Sequence, residues 1–212
     1  MSKLKRRSLL RLGALSGLAS SVSSRVVGAT ATPLARPMVS NYVRLGRTEM
    51  KVSDISFGSF PLQPGDEKVV HHALDLGINY FDTAEGYGNG KSEEAFGRAL
   101  VGVSRQDVYL ATKIFAGSQM SAAEMMSRLD GCLKRLRTDY VDVFFNHAVN
   151  DVARLKNEEW HRFAEQARAQ GKVRYFGMSG HAGRLTECVD YAISEDMFDV
   201  LLLATNFGDD PA

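Results

Sequence analysis

Several features are scarce in this sequence, and each scarcity excludes a class of function. There are 2 cysteines in 212 residues, Cys132 and Cys188, far apart and each within a helix-like pattern. Metal centres and redox pairs need closely spaced ligands, so these two read as unpaired core residues. No run reaches the ~18 uninterrupted apolar residues that a membrane-spanning helix requires. The longest apolar stretch, Leu9 to Val22, is short and rich in Ser and Gly. A soluble mature protein is therefore expected. Net charge is also small, at +1, and no Gly-x-Gly-x-x-Gly follows the first strand-like run, which argues against a doubly wound dinucleotide-binding fold. Neither a metal-ligand cluster nor a carboxylate pair stands at the predicted strand ends, as a barrel hydrolase or lyase would need.

The small net charge conceals an asymmetry. Residues 1–31 hold 6 basic side chains and no acid, leaving 20 basic against 25 acidic in the rest. A mildly acidic body does not suit nucleic acid or an anionic membrane surface. The basic start is Lys5-Arg6-Arg7-Ser8-Leu9-Leu10-Arg11, followed by the modest apolar stretch and by Ala29-Thr30-Ala31, small residues at the spacing a signal peptidase accepts. This resembles a twin-arginine signal over residues 1–31. It implies the twin-arginine export machinery as a partner and a periplasmic or otherwise exported location. Residues 32–41 contain proline and lack an apolar period, as a linker does.

From Tyr42 the pattern changes. Tyr42–Leu45 and Met50–Val52 flank a Gly46-Arg47-Thr48 turn, predicting a small hairpin. Beyond it, six β-rich runs (55–58, 80–83, 108–113, 141–146, 173–178 and 200–203) alternate with helical patterns at 67–76, 91–100, 121–136, 157–170 and 184–194. Alternation of this kind predicts a parallel sheet with right-handed crossovers. The strands are nearly continuously apolar, as strands covered on both faces are. Asp82, Lys113, His147 and Ser179 close four successive strands at intervals of 31, 34 and 32 residues. Polar residues there mark the active-site end of a (β/α)8 TIM barrel, although six strands are fewer than its eight, so the expectation is an incomplete barrel over residues 42–212.

Five segments then carry a resemblance to the aldo-keto reductase family. They are Gly77-Ile78-Asn79-Tyr80-Phe81-Asp82-Thr83-Ala84-Glu85-Gly86-Tyr87-Gly88, Ser92-Glu93-Glu94-Ala95-Phe96-Gly97-Arg98-Ala99-Leu100, Ala111-Thr112-Lys113, Asp139 to His147, and Gly171 to Ser179. The resemblance implies an NADP-dependent oxidoreductase (NAD also possible) that reduces a small-molecule aldehyde or ketone, with the C-terminal part of the barrel missing. It places the catalytic set on Asp82, Tyr87, Lys113 and His147, with Ser179 and Asp82 holding the cofactor. The chemistry suits those residue types. Hydride delivered to a carbonyl carbon leaves charge on oxygen, which a general acid must protonate. A phenol is a weak acid at neutral pH, and an ammonium beside it favours the phenolate. Asp82 would keep Lys113 in place, and His147 would orient the carbonyl.

Departures from the family pattern support a second reading, a non-catalytic barrel-scaffold binding protein or an inactive fragment. Where relatives carry Asn after the strand-ending Ser, this chain has Gly180, and where they carry Gln on the sixth strand it has Leu202. Both changes remove partners of the nicotinamide carboxamide. The aromatic that stacks on the nicotinamide and the basic segment for the adenosine phosphate would lie in the missing part. His181 is expected at the barrel mouth beside Ser179, His71 and His72 in solvent, and Trp160 with His161 in a helix packed on the barrel.

Overall fold

The computed structural model describes residues 38–204. The export signal read over residues 1–31 and most of the linker lie outside the described residues. Of the linker, Val39 donates its N–H to the Leu76 carbonyl (2.8 Å), which fastens the chain to the body before the first strand.

Strands β1 (Tyr42–Arg44) and β2 (Lys51–Ser53) form the antiparallel hairpin. Six strands follow in one parallel sheet: β3 (Phe57–Gly58), β4 (Tyr80–Asp82), β5 (Tyr109–Ile114), β6 (Val141–Asn146), β7 (Val173–Gly180) and β8 (Val200–Leu203). Their order in the sheet is their order in the chain, so every crossover returns to the neighbouring position. Helices α1 (Glu67–Asp75), α2 (Lys91–Ala99), α3 (Ala122–Leu136), α5 (Glu158–Ala169) and α6 (Leu185–Ser194) cover the outer face, with a four-residue helix α4 (Val152–Leu155) after β6. The product is a curled half-barrel. No helix among the described residues is long and apolar enough to cross a membrane.

The two faces of the sheet are filled differently, as strand alternation requires. Phe81, Leu110, Phe144 and Phe176 point outward and join Phe96, Met125, Leu129, Trp160 and Phe163 in the large sheet–helix core. Ala111, Val143, Phe145 and Val200 point inward and meet Met50 and Val52 of the hairpin. The hairpin therefore plugs the N-terminal end of the barrel. Its backbone N–H groups at Glu49 and Lys51 donate to the hydroxyls of Tyr175 (2.9 Å) and Tyr109 (3.2 Å), and Ser53 N–H donates to the Asn79 side chain (2.7 Å). Arg47 at the turn reaches Asp196 and the Phe198 carbonyl just before β8.

Helix starts follow ordinary capping chemistry. Ser121 accepts from the Glu124 N–H at the head of α3, and Asn157 accepts from the Glu159 N–H at the head of α5, each satisfying an otherwise unpaired donor. In α3, residues 122, 125, 129, 132, 133 and 136 are buried, the spacing of one helical face. Cys132 and Cys188 are both buried and free, and burial raises both thiols above their ordinary range.

The expectations for these helices hold. Trp160 is buried in α5, and His161 lies on the solvent side of the same helix. His71 and His72 are exposed, and His71 Nε2 bonds the Ala99 carbonyl (2.8 Å) at the end of α2.

Candidate active site

The C-terminal ends of the strands form the opposite end of the half-barrel from the hairpin. Asp82 ends β4, and the chain then turns through Thr83 to Gly90 before α2. This segment is held along its length. Thr83 and Glu85 N–H groups donate to the carbonyls of Ala111 and Lys113, continuing the parallel pairing past the strand. The Thr83 and Ser59 hydroxyls both bond Ser92, and Glu85 pairs with Arg128 of α3. Tyr87 sits in the middle of this fastened loop, its N–H donating to Ala84 (3.0 Å).

Lys113 on β5 points into the same space. Its side chain is 1% exposed, and its Nζ donates to Asp82 Oδ1 (2.5 Å), the Thr83 carbonyl (2.8 Å) and the Tyr87 hydroxyl (3.4 Å). The ammonium thus spends all three donors within the protein, one of them on the phenol oxygen. Because that oxygen accepts, the phenol's own proton remains to be donated elsewhere. Burial pushes the Asp82 carboxyl above the usual carboxylate range, and the Lys113 charge pulls it back. The second oxygen, Oδ2, is buried without a hydrogen-bond partner.

His147 follows β6 directly, its N–H donating to the Ile114 carbonyl (2.8 Å). Its ring meets Tyr87 edge to face at 5.8 Å between centroids. Burial lowers its pKa to about 4, with smaller contributions from the positive charges of Lys113, His181 and Arg154, so the imidazole is neutral at pH 7. Ser179 on β7 is buried, and its Oγ accepts from the Ala148 N–H (3.0 Å). Its hydroxyl proton is still free to donate.

The structure therefore gathers Asp82, Tyr87, Lys113, His147 and Ser179 at one end of the sheet. Tyr87, Lys113, His147, Ser179, Gly180, exposed His181 and Leu202 line a pocket of about 210 Å³, together with Leu203 and Ala204. Gly180 leaves little room for a side chain unless Leu185 moves. A Cβ at this position would overlap Leu185 Cδ1 and stand 3.1 Å from the Val149 carbonyl. Leu202 pairs in register with Ser179 on β7.

Residues 63–198 match the family model described as the Aldo/keto reductase family. The chain belongs to the aldo/keto reductase family. It is 35% identical over 171 residues to a probable voltage-gated potassium channel subunit beta of Oryza sativa, covering 74% of this chain and 52% of the rice protein. The half-barrel superposes on the holo form of an aldo-keto reductase from Bacillus halodurans with a TM-score of 0.69 at 26% identity, over 78% of this chain and 57% of that one. An aldo/keto reductase from Klebsiella pneumoniae, solved with NADP and acetate, superposes with a TM-score of 0.57 at 29% identity, over 66% and 49%. The chain thus spans about half the length of these relatives. The six parallel strands and the hairpin resemble the corresponding part of the aldo-keto reductase barrel.

The residues at this site fit one end of a nicotinamide cofactor. The free Ser179 proton and the unpartnered Asp82 Oδ2 are polar groups at the site that the protein leaves without a mate. The pocket, at about 210 Å³, is smaller than the about 300–1,000 Å³ of a whole ligand site. No arginine lines it, and its one lysine is committed to Asp82. One residue was missed by sequence reasoning, buried Arg154 of α4, which bonds the backbone around His147. A four-residue helix offers no periodicity from which to find it.

Proposed function

We propose that the protein is an NAD(P)H-dependent reductase of aldehydes or ketones, with Tyr87 as proton donor. The observation that carries this reading is Lys113 Nζ, buried and bonded at once to the Asp82 carboxylate and the Tyr87 hydroxyl. A bound reduced nicotinamide supplies the hydride that reaches the carbonyl carbon. Tyr87 gives its proton to the carbonyl oxygen, and the Lys113 ammonium stabilises the phenolate left behind. Asp82 holds Lys113 charged and oriented. Neutral His147 donates a hydrogen bond to the same carbonyl oxygen and sets the substrate's approach. Ser179 and Asp82 hold the nicotinamide end. NADP is the preferred form, supported by the cofactor in the Klebsiella relative, with NAD an alternative.

The test is turnover of the full-length protein with small aldehydes and ketones, followed by oxidation of NADPH or NADH. Tyr87→Phe is expected to cut kcat by at least about 100-fold, because it removes the general acid. Cofactor affinity should stay within about twofold, since the phenol makes a contact needed in the transition state. Collapse of cofactor affinity with turnover preserved would make Tyr87 a structural residue. Gly180 and Leu202 favour a second reading, a barrel kept for binding rather than catalysis, and the rice relative's name as a channel subunit is compatible with it. Tight cofactor binding without turnover on any carbonyl would support that reading.

The location proposed is the periplasm or beyond the cell membrane, by twin-arginine export. Its support is the Arg6-Arg7 pair ahead of the apolar stretch and the Ala29-Thr30-Ala31 site. Residues 1–40 fused to a folded reporter should direct it out of a bacterial cytoplasm. Replacing Arg6 and Arg7 with lysine should stop that export; an unchanged distribution would refute the signal.

A further inference from the structure

Arg154 is an unusual residue to find inside a barrel wall. It is 7% exposed, and its guanidinium makes no salt bridge among the described residues. Every hydrogen bond it donates goes to a neutral oxygen: Ala116 O (2.8 Å), Ala148 O (2.7 Å), Asn146 Oδ1 (2.8 Å) and His147 O (2.8 Å). Its plane also lies over the Phe115 ring at 4.0 Å. A buried cation with no carboxylate bonded to it is costly, so it persists only where its donors are satisfied. Burial accordingly holds the guanidinium below its ordinary range.

Three of those four acceptors belong to consecutive residues, Asn146, His147 and Ala148, and the fourth belongs to the loop after β5, the strand that carries Lys113. The turn they form is not one that a chain adopts unaided. Ala148 has φ of +50°, a left-handed conformation unfavourable for alanine. It is fixed there from two sides. Arg154 binds its carbonyl, while the Ala148 N–H donates to Ser179 Oγ and the Val149 N–H to the Ser179 carbonyl (2.7 Å). Removing the fork of donors leaves the His147 carbonyl and its neighbours unpaired and lets the turn relax.

From this arrangement we infer that Arg154 is a positioning residue: it fixes the turn that aims the His147 imidazole into the pocket. The inference rests on the reading of His147 as the group that orients the carbonyl. Geometry and charge act through different properties of the side chain. A lysine in this place keeps a positive charge but cannot bridge four acceptors set around a planar fork. A glutamine keeps some hydrogen bonding and loses the charge. The other charged or titratable groups facing the pair stay in place in both variants. They are Lys113 on β5, Tyr87 after β4 and His181 after β7 around His147, with Asp151 at the head of α4 and Cys188 on α6 near Arg154.

The experiment compares Arg154→Lys and Arg154→Gln with the full-length parent. It reads carbonyl reduction, the NMR titration of the His147 ring, and amide exchange at Ala148. In Arg154→Lys, kcat should fall by about tenfold or more with cofactor KM within about twofold, and Ala148 exchange should accelerate. In Arg154→Gln, the His147 midpoint should rise only slightly from about 4, because burial, Lys113 and His181 still hold it down. A merely structural clamp would lower stability without splitting kcat from KM. If kcat and Ala148 exchange both match the parent, the inference is overturned. Should Arg154→Gln not fold, Arg154→Lys decides alone, through kcat and Ala148 exchange. If the parent reduces no carbonyl, the functional reading fails by itself. Amide exchange at Ala148 then still decides whether Arg154 fixes the turn that carries His147.

Discussion

Lys113 and Asp82 form a coupled pair whose members cannot be changed independently. The ammonium is 1% exposed and meets the carboxylate at 2.5 Å, while the remaining donors reach only neutral oxygens. Asp82→Asn would leave a buried cation without its counter-charge, a change that costs about 3–5 kcal/mol in comparable sites. Adding Lys113→Met to that variant removes the stranded charge and should restore part of the loss, since a well-packed apolar side chain tolerates the site better than an unpaired ion. Urea unfolding of the two single variants and the double variant measures this coupling. Equal midpoints for Asp82→Asn and the parent would show that the carboxylate does not support the lysine. The meeting of these side chains was legible in sequence. Asp82, Tyr87 and Lys113 stand in short motifs whose backbone pairing is dictated by adjacent parallel strands, so their meeting follows from topology. The state of Ser179 was not legible, because its Oγ is engaged by Ala148, a residue 31 positions away on another strand's turn.

At the scale of elements, the alternation of apolar runs and amphipathic segments gave six strands and five helices close to their observed places, because parallel strands covered on both faces must be apolar throughout. The errors lie at the ends. β3 is only Phe57–Gly58, since Ile55 is exposed and its carbonyl is taken by the Ser53 hydroxyl. β7 runs on to Gly180 because Ser179 and Gly180 pair with Leu202 and Leu203 of β8. Neither event leaves a trace in local sequence. Contacts between helices were equally hidden. Gly97 on α2 reads as an ordinary helical glycine, yet a Cβ there would overlap the Arg135 carbonyl oxygen at the end of α3 and stand 2.9 Å from the Leu136 carbonyl carbon. Gly97→Ala is therefore expected to destabilise by about 1–3 kcal/mol, despite alanine's better helix propensity, because backbone must shift. Gly117→Ala, where nothing lies within 4 Å, is the control and should be close to neutral. Thermal unfolding distinguishes them, and a Gly97→Ala protein as stable as the parent would mean that α2 and α3 pack more loosely than described.

Across the whole molecule, the sheet is closed by packing on its outer face and open on part of its inner one. β3 and β8 each have a single neighbour among the described residues. Between the hairpin and β8 lies an apolar cavity of about 250 Å³ lined by Val43, Leu45, Val52, Tyr80, Phe145, Val200 and Leu202. Leu202 lines both this cavity and the pocket at Lys113, and it is 43% exposed. Exposed apolar side chains such as Leu201 and Leu202 favour association with other chains. The protein should therefore show concentration-dependent association by sedimentation. Leu202→Gln tests two consequences of this one side chain together. Replacing an exposed leucine with an amide removes apolar surface from the edge, so association should weaken. The new amide also stands beside the free Ser179 proton, where it can bond a nicotinamide carboxamide. One such hydrogen bond contributes about 0.5–1.5 kcal/mol, which corresponds to at most about a tenfold gain in NADPH affinity. Titration with NADPH and sedimentation of the same two proteins read the effects separately. A gain in affinity with association unchanged would assign the self-contact to another surface. Weaker association with no gain in affinity would mean that the new amide makes no hydrogen bond to the cofactor.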